Sequence, residues 1–148
     1  MNISSISLAD QLRAERLAVE TFYRAFSDKQ PDLVDEVLAP HWDDIPLAPG
    51  QAPGPEGIKT IIRSVVQAFP DVRIVIHDVV QEPGKMAVRA QISGTHDGEL
   101  FGIAATGRQV SFPIHEFHRF HDAKLTTTWH LEDWFGVFIQ LGRFPTQA

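Results

Sequence analysis

Residues 72–95 read VRIVIHDVVQEPGKMAVRAQISGT. Two runs, Val72 to Val80 and Met86 to Thr95, flank Glu82-Pro83-Gly84-Lys85, and the first is rich in β-branched side chains. Branched side chains suit a pleated surface and Pro-Gly supplies turn geometry, so the stretch predicts an antiparallel hairpin. Upstream the period is different. Ile58, Ile61, Ile62, Val65 and Phe69 recur at helical spacing, with Pro55 in the first turn, where a missing N–H costs no hydrogen bond. The change from helix to strand falls at Phe69-Pro70.

Further toward the N-terminus, Pro46 to Pro55 holds four prolines and two glycines and reads as loop. A short helix is expected from Asp32 to Leu38, stopped by Pro40. A long one carries Leu8, Leu12, Val19, Phe22, Tyr23 and Phe26, with Ser7 placed to cap it. Toward the C-terminus come a glycine-bearing loop, Asp97 to Gly107, and a strand, Gln109 to Phe120. A turn at Asp122-Ala123-Lys124 leads into a strand from Leu125 to about Leu131, and a last helix runs from Trp134 to Leu141 ahead of Gly142. Helices first and antiparallel strands after define an α+β fold, with the N-terminal helices on one face of a curved antiparallel sheet. A chain of 148 residues fits a single domain, 1–148.

Composition narrows the function. There is no cysteine, which removes disulfides, thiolate zinc sites and cysteine nucleophiles together and fits a reducing cytoplasm. The 13 basic residues against 19 acidic ones give a net charge of −6 with no basic stripe, so no nucleic-acid partner is expected. No stretch approaches the roughly 20 apolar residues of a membrane helix, so no membrane partner is expected either.

Alternation along Gln109 to Phe120 is chemically informative. One face carries Val110, Phe112, Ile114, Glu116, His118 and Phe120, so an acid and a histidine share an apolar face. A carboxylate turned into a core costs several kcal/mol unless paired, so either these side chains satisfy one another or the face lines a cavity. The seven histidines do not form a metal motif: His115 and His118 fall on opposite strand faces and no H-x-x-x-H helix occurs. The glycines at 54–57 and 102–107 match no phosphate-binding pattern, and no serine sits in a G-x-S-x-G elbow. Neither metal nor cofactor is expected.

Several short stretches, in order, resemble the SnoaL-like polyketide cyclase (ester cyclase) family: Gly57-Ile58-Lys59, Ala68-Phe69-Pro70-Asp71, Gly94-Thr95-His96-Asp97-Gly98-Glu99, Gly102-Ile103 with Thr106-Gly107-Arg108, Arg119, Trp129, Asp133 and Gln140-Leu141-Gly142. Ala104-Ala105 stands where that family usually has two prolines, and Asp43-Asp44 where relatives often have histidine or asparagine. The resemblance implies a cone of the nuclear transport factor 2-like superfamily, commonly a homodimer or homotetramer. It also implies a cofactor-free reaction, in which an aspartate acts as general acid/base in the intramolecular aldol closure of a polyketide-like ester.

By the resemblance Asp133 is the first choice for the catalytic acid/base, with Glu116 and His130 the alternatives for the base, and His118 hydrogen-bonds or polarises the substrate. Substrate-binding roles fall to His130, Glu116, Trp129, Trp42, Asp44, Phe112 and Phe22. A pocket for a small apolar or ring-forming substrate is expected between sheet and helices, lined by Phe22, Trp42, Phe112, His118 and Trp129. Helix capping is the structural alternative for Asp133. A non-catalytic small-molecule-binding or dimerisation module, or a related isomerase or hydrolase, is the alternative for the whole chain, because fold alone does not choose among them.

Overall fold

The structure, a computed structural model, describes residues 6–146. Helix α1, Leu8–Ser27, is capped as its sequence predicts: the Ser7 hydroxyl accepts the Asp10 N–H at 3.1 Å. A six-residue 3-10 helix, Pro31–Glu36, follows and ends two residues short of the helix expected there. Strand β1, Leu38–Ile45, then occupies residues for which no strand was expected. Pro40 does not stop a helix; it sits within β1. That is tolerated because β1 is an edge strand, where a missing N–H breaks no central ladder, and because its pairing slips between Leu38 and Asp43.

The loop after β1 leads into helix α2, Gly54–Ala68, with Pro55 in its first turn. The Lys59 side chain runs largely buried, and its ammonium binds Asp35 at 2.7 Å, Glu56 at 2.9 Å and Asp32 at 3.3 Å, tying α2 to the 3-10 helix. Strands β2, Arg73–Glu82, and β3, Lys85–Thr95, form the expected hairpin, followed by β4, Gln109–His121, and β5, Lys124–Glu132. Helix α3, Trp134–Leu141, closes the fold, with Gly142 at φ 64° in the left-handed conformation that ends it.

The sheet order is β1-β5-β4-β3-β2. The β2–β3, β3–β4 and β4–β5 pairs are antiparallel, as expected, but β1 runs parallel to β5, so the sheet is mixed. Register breaks that leave His77 on β2 and Thr126 on β5 without partners mark bulges, which bend the strands around the helices. The core lies on the concave side and includes Val19, Phe22, Ile62, Phe69, Ile92, Val110, Phe112, Val137 and Leu141. Among the described residues no helix is long and apolar enough to cross a membrane.

Candidate active site

Three strands deliver polar side chains to the concave side. On β4, Glu116 and His118 are buried in the same alternation as Val110, Phe112 and Ile114. Across the ladder on β5, His130 stands opposite Glu116, Thr128 opposite His118, and Glu132 opposite Ile114. On β1, Trp42 and Asp44 are buried between exposed neighbours. Each pair is two residues apart on its strand, which is the spacing that keeps side chains on one face.

The deeper group is a chain of hydrogen bonds that begins on an indole N–H and ends on a carboxylate. The indole Nε1–H of Trp42 can only donate, and it meets Thr128 Oγ1 at 3.0 Å. The same Thr128 oxygen lies 3.0 Å from His118 Nδ1. Nε2 of His118 faces the Tyr23 hydroxyl at 3.4 Å and Glu116 Oε2 at 3.1 Å. Tyr23 donates to Glu116 Oε2 at 2.5 Å. Burial, together with the charge and hydrogen bond of Glu116, holds the Tyr23 phenol well above its usual range, so it stays protonated as this donor.

The second group lies nearer the surface. His130 Nδ1 donates to Glu132 Oε1 at 2.7 Å, and Nε2 donates to the Pro46 carbonyl at 2.8 Å with Asp44 Oδ1 at 3.3 Å. Gln51 donates to Asp44 Oδ2 at 2.7 Å, so both Asp44 oxygens are engaged. Burial pushes the Asp44 carboxyl up from the usual carboxylate range, more than its Gln51 hydrogen bond and the His130 charge pull it down. Burial on its own would depress the His130 imidazolium. The Glu132 hydrogen bond and charge, the Asp44 charge and the Pro46 carbonyl outweigh it and raise His130 to about 9. At neutral pH, His130 is a cation with both N–H groups committed.

Glu132 differs from Asp44. Its Oε1 is held by His130, its Oε2 has no hydrogen-bond partner among the described residues, and its side chain keeps 16% of its exposure. It is a positioned carboxylate with one oxygen open. Among the described residues, no group of three or more histidine, aspartate or glutamate side chains is arranged to hold a metal ion.

Of the residues expected at the site, Glu116, His118, His130, Asp44 and Trp42 come together. Phe22 joins them from α1, its ring 5.8 Å from Trp42 and 6.5 Å from His118. Phe112 is buried farther along β4, packed at 5.2 Å on Trp134. Two expectations are corrected. Trp129 faces outward, 37% exposed, with the Arg119 guanidinium 5.6 Å from its ring, and does not line the interior. Asp133 is exposed at the start of α3, where Oδ1 accepts the Gly136 N–H at 2.9 Å. It is one residue past the inward-facing Glu132, so its side chain leaves the site and caps a helix instead. Tyr23, Thr128, Gln51 and Glu132 were not expected at the site. Glu132 carried a signal, since it stands two residues beyond His130.

A curved mixed sheet wrapped on helices, with polar side chains gathered on its concave side, is a nuclear transport factor 2-like α+β fold. The chain belongs to the SnoaL-like polyketide cyclase family, whose pattern matches residues 17–141. Among solved structures, TsrD of Streptomyces laurentii is 26% identical, with a TM-score of 0.82 over 89% of this chain and 97% of that one. IdmH of Streptomyces antibioticus, provisionally assigned as a polyketide cyclase, is also 26% identical, with a TM-score of 0.76 over 86% of this chain and 98% of its own. A protein of Bacillus cereus with the same provisional assignment shares the fold at 24% identity, with a TM-score of 0.80 over 93% of this chain and 86% of its own. No curated protein sequence matches the chain.

Proposed function

We propose that this chain is a cofactor-independent, cyclase-like enzyme that closes a ring in a polyketide-like ester by intramolecular aldol chemistry, with Glu132 as its general acid/base. The observation that carries the reading is the inward-facing Glu132, clamped by His130 through one oxygen and open at the other. Family membership supports the reaction class, and the acid/base group comes from the geometry.

In this reading the free oxygen of Glu132 takes the proton from a carbon α to a carbonyl. The resulting carbanion attacks a second carbonyl carbon of the same molecule, one carbon–carbon bond forms, and the alkoxide takes the proton back from Glu132. No electrons enter or leave, and no cofactor is needed. His130 is a positioning residue: Nδ1–H fixes the Glu132 carboxylate, and Nε2–H anchors the ring on the Pro46 carbonyl rather than on the substrate. Holding both reacting carbons in one cavity contributes through proximity. The exposed Phe117, Trp129 and Leu131 on the convex face support self-association as a homodimer or homotetramer, which sedimentation would test.

Turnover of a panel of polyketide methyl esters tests the assignment. Glu132→Gln is expected to lower turnover by about 10²–10⁴-fold, the usual contribution of a general acid/base, while Asp133→Asn stays near wild type. An active Glu132→Gln protein beside an inactive Asp133→Asn protein would overturn it. Tight binding with no turnover by the wild type would support the non-catalytic module instead.

A further inference from the structure

The proposed chemistry leaves Glu116 unused, although it is a carboxylate inside the fold. A hydrogen-bond chain links Trp42, Thr128, His118, Tyr23 and Glu116, with the Trp42 N–H donating at one end and the Tyr23 hydroxyl donating to the carboxylate at the other. It ends on Oε2 of Glu116, which also has His118 Nε2 at 3.1 Å. Oε1 has no partner among the described residues. Nor is it sealed off: Nε2 of His96 is the one side-chain polar atom among the described residues that is both sealed from solvent and unpartnered. Oε1 therefore keeps contact with solvent, although Glu116 as a whole is only 5% exposed. Glu116 is also opposite His130 on the β4–β5 ladder, beside the residue that positions Glu132.

We infer that Glu116 is a specificity-determining acceptor, whose free oxygen selects ligands carrying a hydroxyl (an alcohol, enol or phenol) over those in which that oxygen is alkylated. The inference rests on the interior being the ligand site, as proposed above, and not on the role of Glu132. Tyr23 and His118 hold the carboxylate through Oε2, so its other oxygen, as a carboxylate oxygen, can only accept. A ligand carbonyl or ether oxygen placed there would face lone pairs. A ligand O–H would complete the chain with a charge-assisted hydrogen bond, and an analogue lacking the O–H would leave the carboxylate oxygen unpaired.

Calorimetric binding of two unreactive ring ketones, a hydroxytetralone and its methyl ether, tests this without turnover. Wild type is expected to bind the phenol about 10–100-fold more tightly than the ether, the range for one hydrogen bond to a charged group. Glu116→Gln, which keeps the shape but offers a neutral amide, is expected to cut that ratio at least several-fold. Equal binding of the two ketones by wild type, binding of neither, or an unchanged ratio in a folded Glu116→Gln protein would overturn the inference. If Glu116→Gln does not fold, the wild-type ratio decides. Glu132→Gln is expected to leave the ratio intact, so loss of turnover in that variant and loss of selectivity at Glu116 are separate results.

Discussion

His130 couples the site to stability, and the size of the coupling can be worked out. The imidazolium is raised from its ordinary value of 6.5 to about 9 in the folded chain, because Glu132, Asp44 and the Pro46 carbonyl outweigh the burial that opposes them. Below about pH 6.5 both folded and unfolded chains hold the proton, and the favourable interaction is fully present. Between 6.5 and about 9 the unfolded chain has lost the proton while the folded one keeps it, so stability falls as pH rises. Above about 9 the contribution is gone. At about 1.4 kcal/mol for each pH unit, the interval amounts to on the order of 3 kcal/mol. The His130 side chain is 19% exposed, so solvent screening removes only part of this. Urea unfolding of wild type and His130→Gln at several values from about pH 6 to pH 10 isolates the term, since other titrating groups cancel in the difference. The variant should be much the less stable at pH 6, with two carboxylates facing each other unrelieved, and the gap should narrow by a few kcal/mol by pH 10. A gap constant across that range would refute the argument and place the proton elsewhere.

Other perturbations follow from contacts already described. Asp133→Ala removes a cap and should cost about 1 kcal/mol in denaturant unfolding, whereas Asp133→Asn, which caps as well, should change stability little. Thr128→Val leaves the Trp42 N–H without its acceptor and His118 Nδ1 without its partner, so a loss of about 1–3 kcal/mol is expected. It should also release the His118 tautomer, readable in the imidazole nitrogen shifts. Gly94→Ala would place a methyl group 2.8 Å from Cβ of the fully buried Phe69. Overpacking of that kind typically costs about 1–3 kcal/mol, visible as a lower melting temperature.

Most of the fold is legible because its elements are locally consistent. The Ser7 cap, the Pro55 entry, the Pro83-Gly84 turn and the Gly142 stop each agree with the element they bound. Strand β1 is not legible, for a reason tied to the site. Its sequence, LAPHWDDI, holds a proline and three polar residues over its last six positions, where strand propensity is weakest. Two of its side chains, Trp42 and Asp44, are at the site, so residues suited to the interior chemistry displace those that would announce a strand. A parallel partner such as β5 cannot be inferred from hairpin turns, since the two strands are separated by most of the chain.

A bulge on β5 decides which way Trp129 and its neighbours up to Glu132 and Asp133 point. On β5, Leu125 is fully buried opposite Phe120. If its inward direction is carried forward by alternation, Thr127, Trp129, Leu131 and Asp133 should follow it into the core, and hydrophobicity agrees, because Trp129 and Leu131 are the apolar residues of the stretch. The ladder, however, moves from Phe120–Leu125 to Arg119–Thr127, leaving Thr126 without a partner. One extra residue reverses every later side chain. Thr128, His130 and Glu132 turn inward, while Trp129 and Leu131 turn out to solvent. The bulge thus exchanges an apolar interior for a polar one at the point where the concave side needs a carboxylate and an imidazole. It also makes Glu132, rather than its neighbour Asp133, the acid that reaches the site. Sequence spacing alone cannot separate two adjacent acids, whereas a single unpaired threonine six residues earlier does.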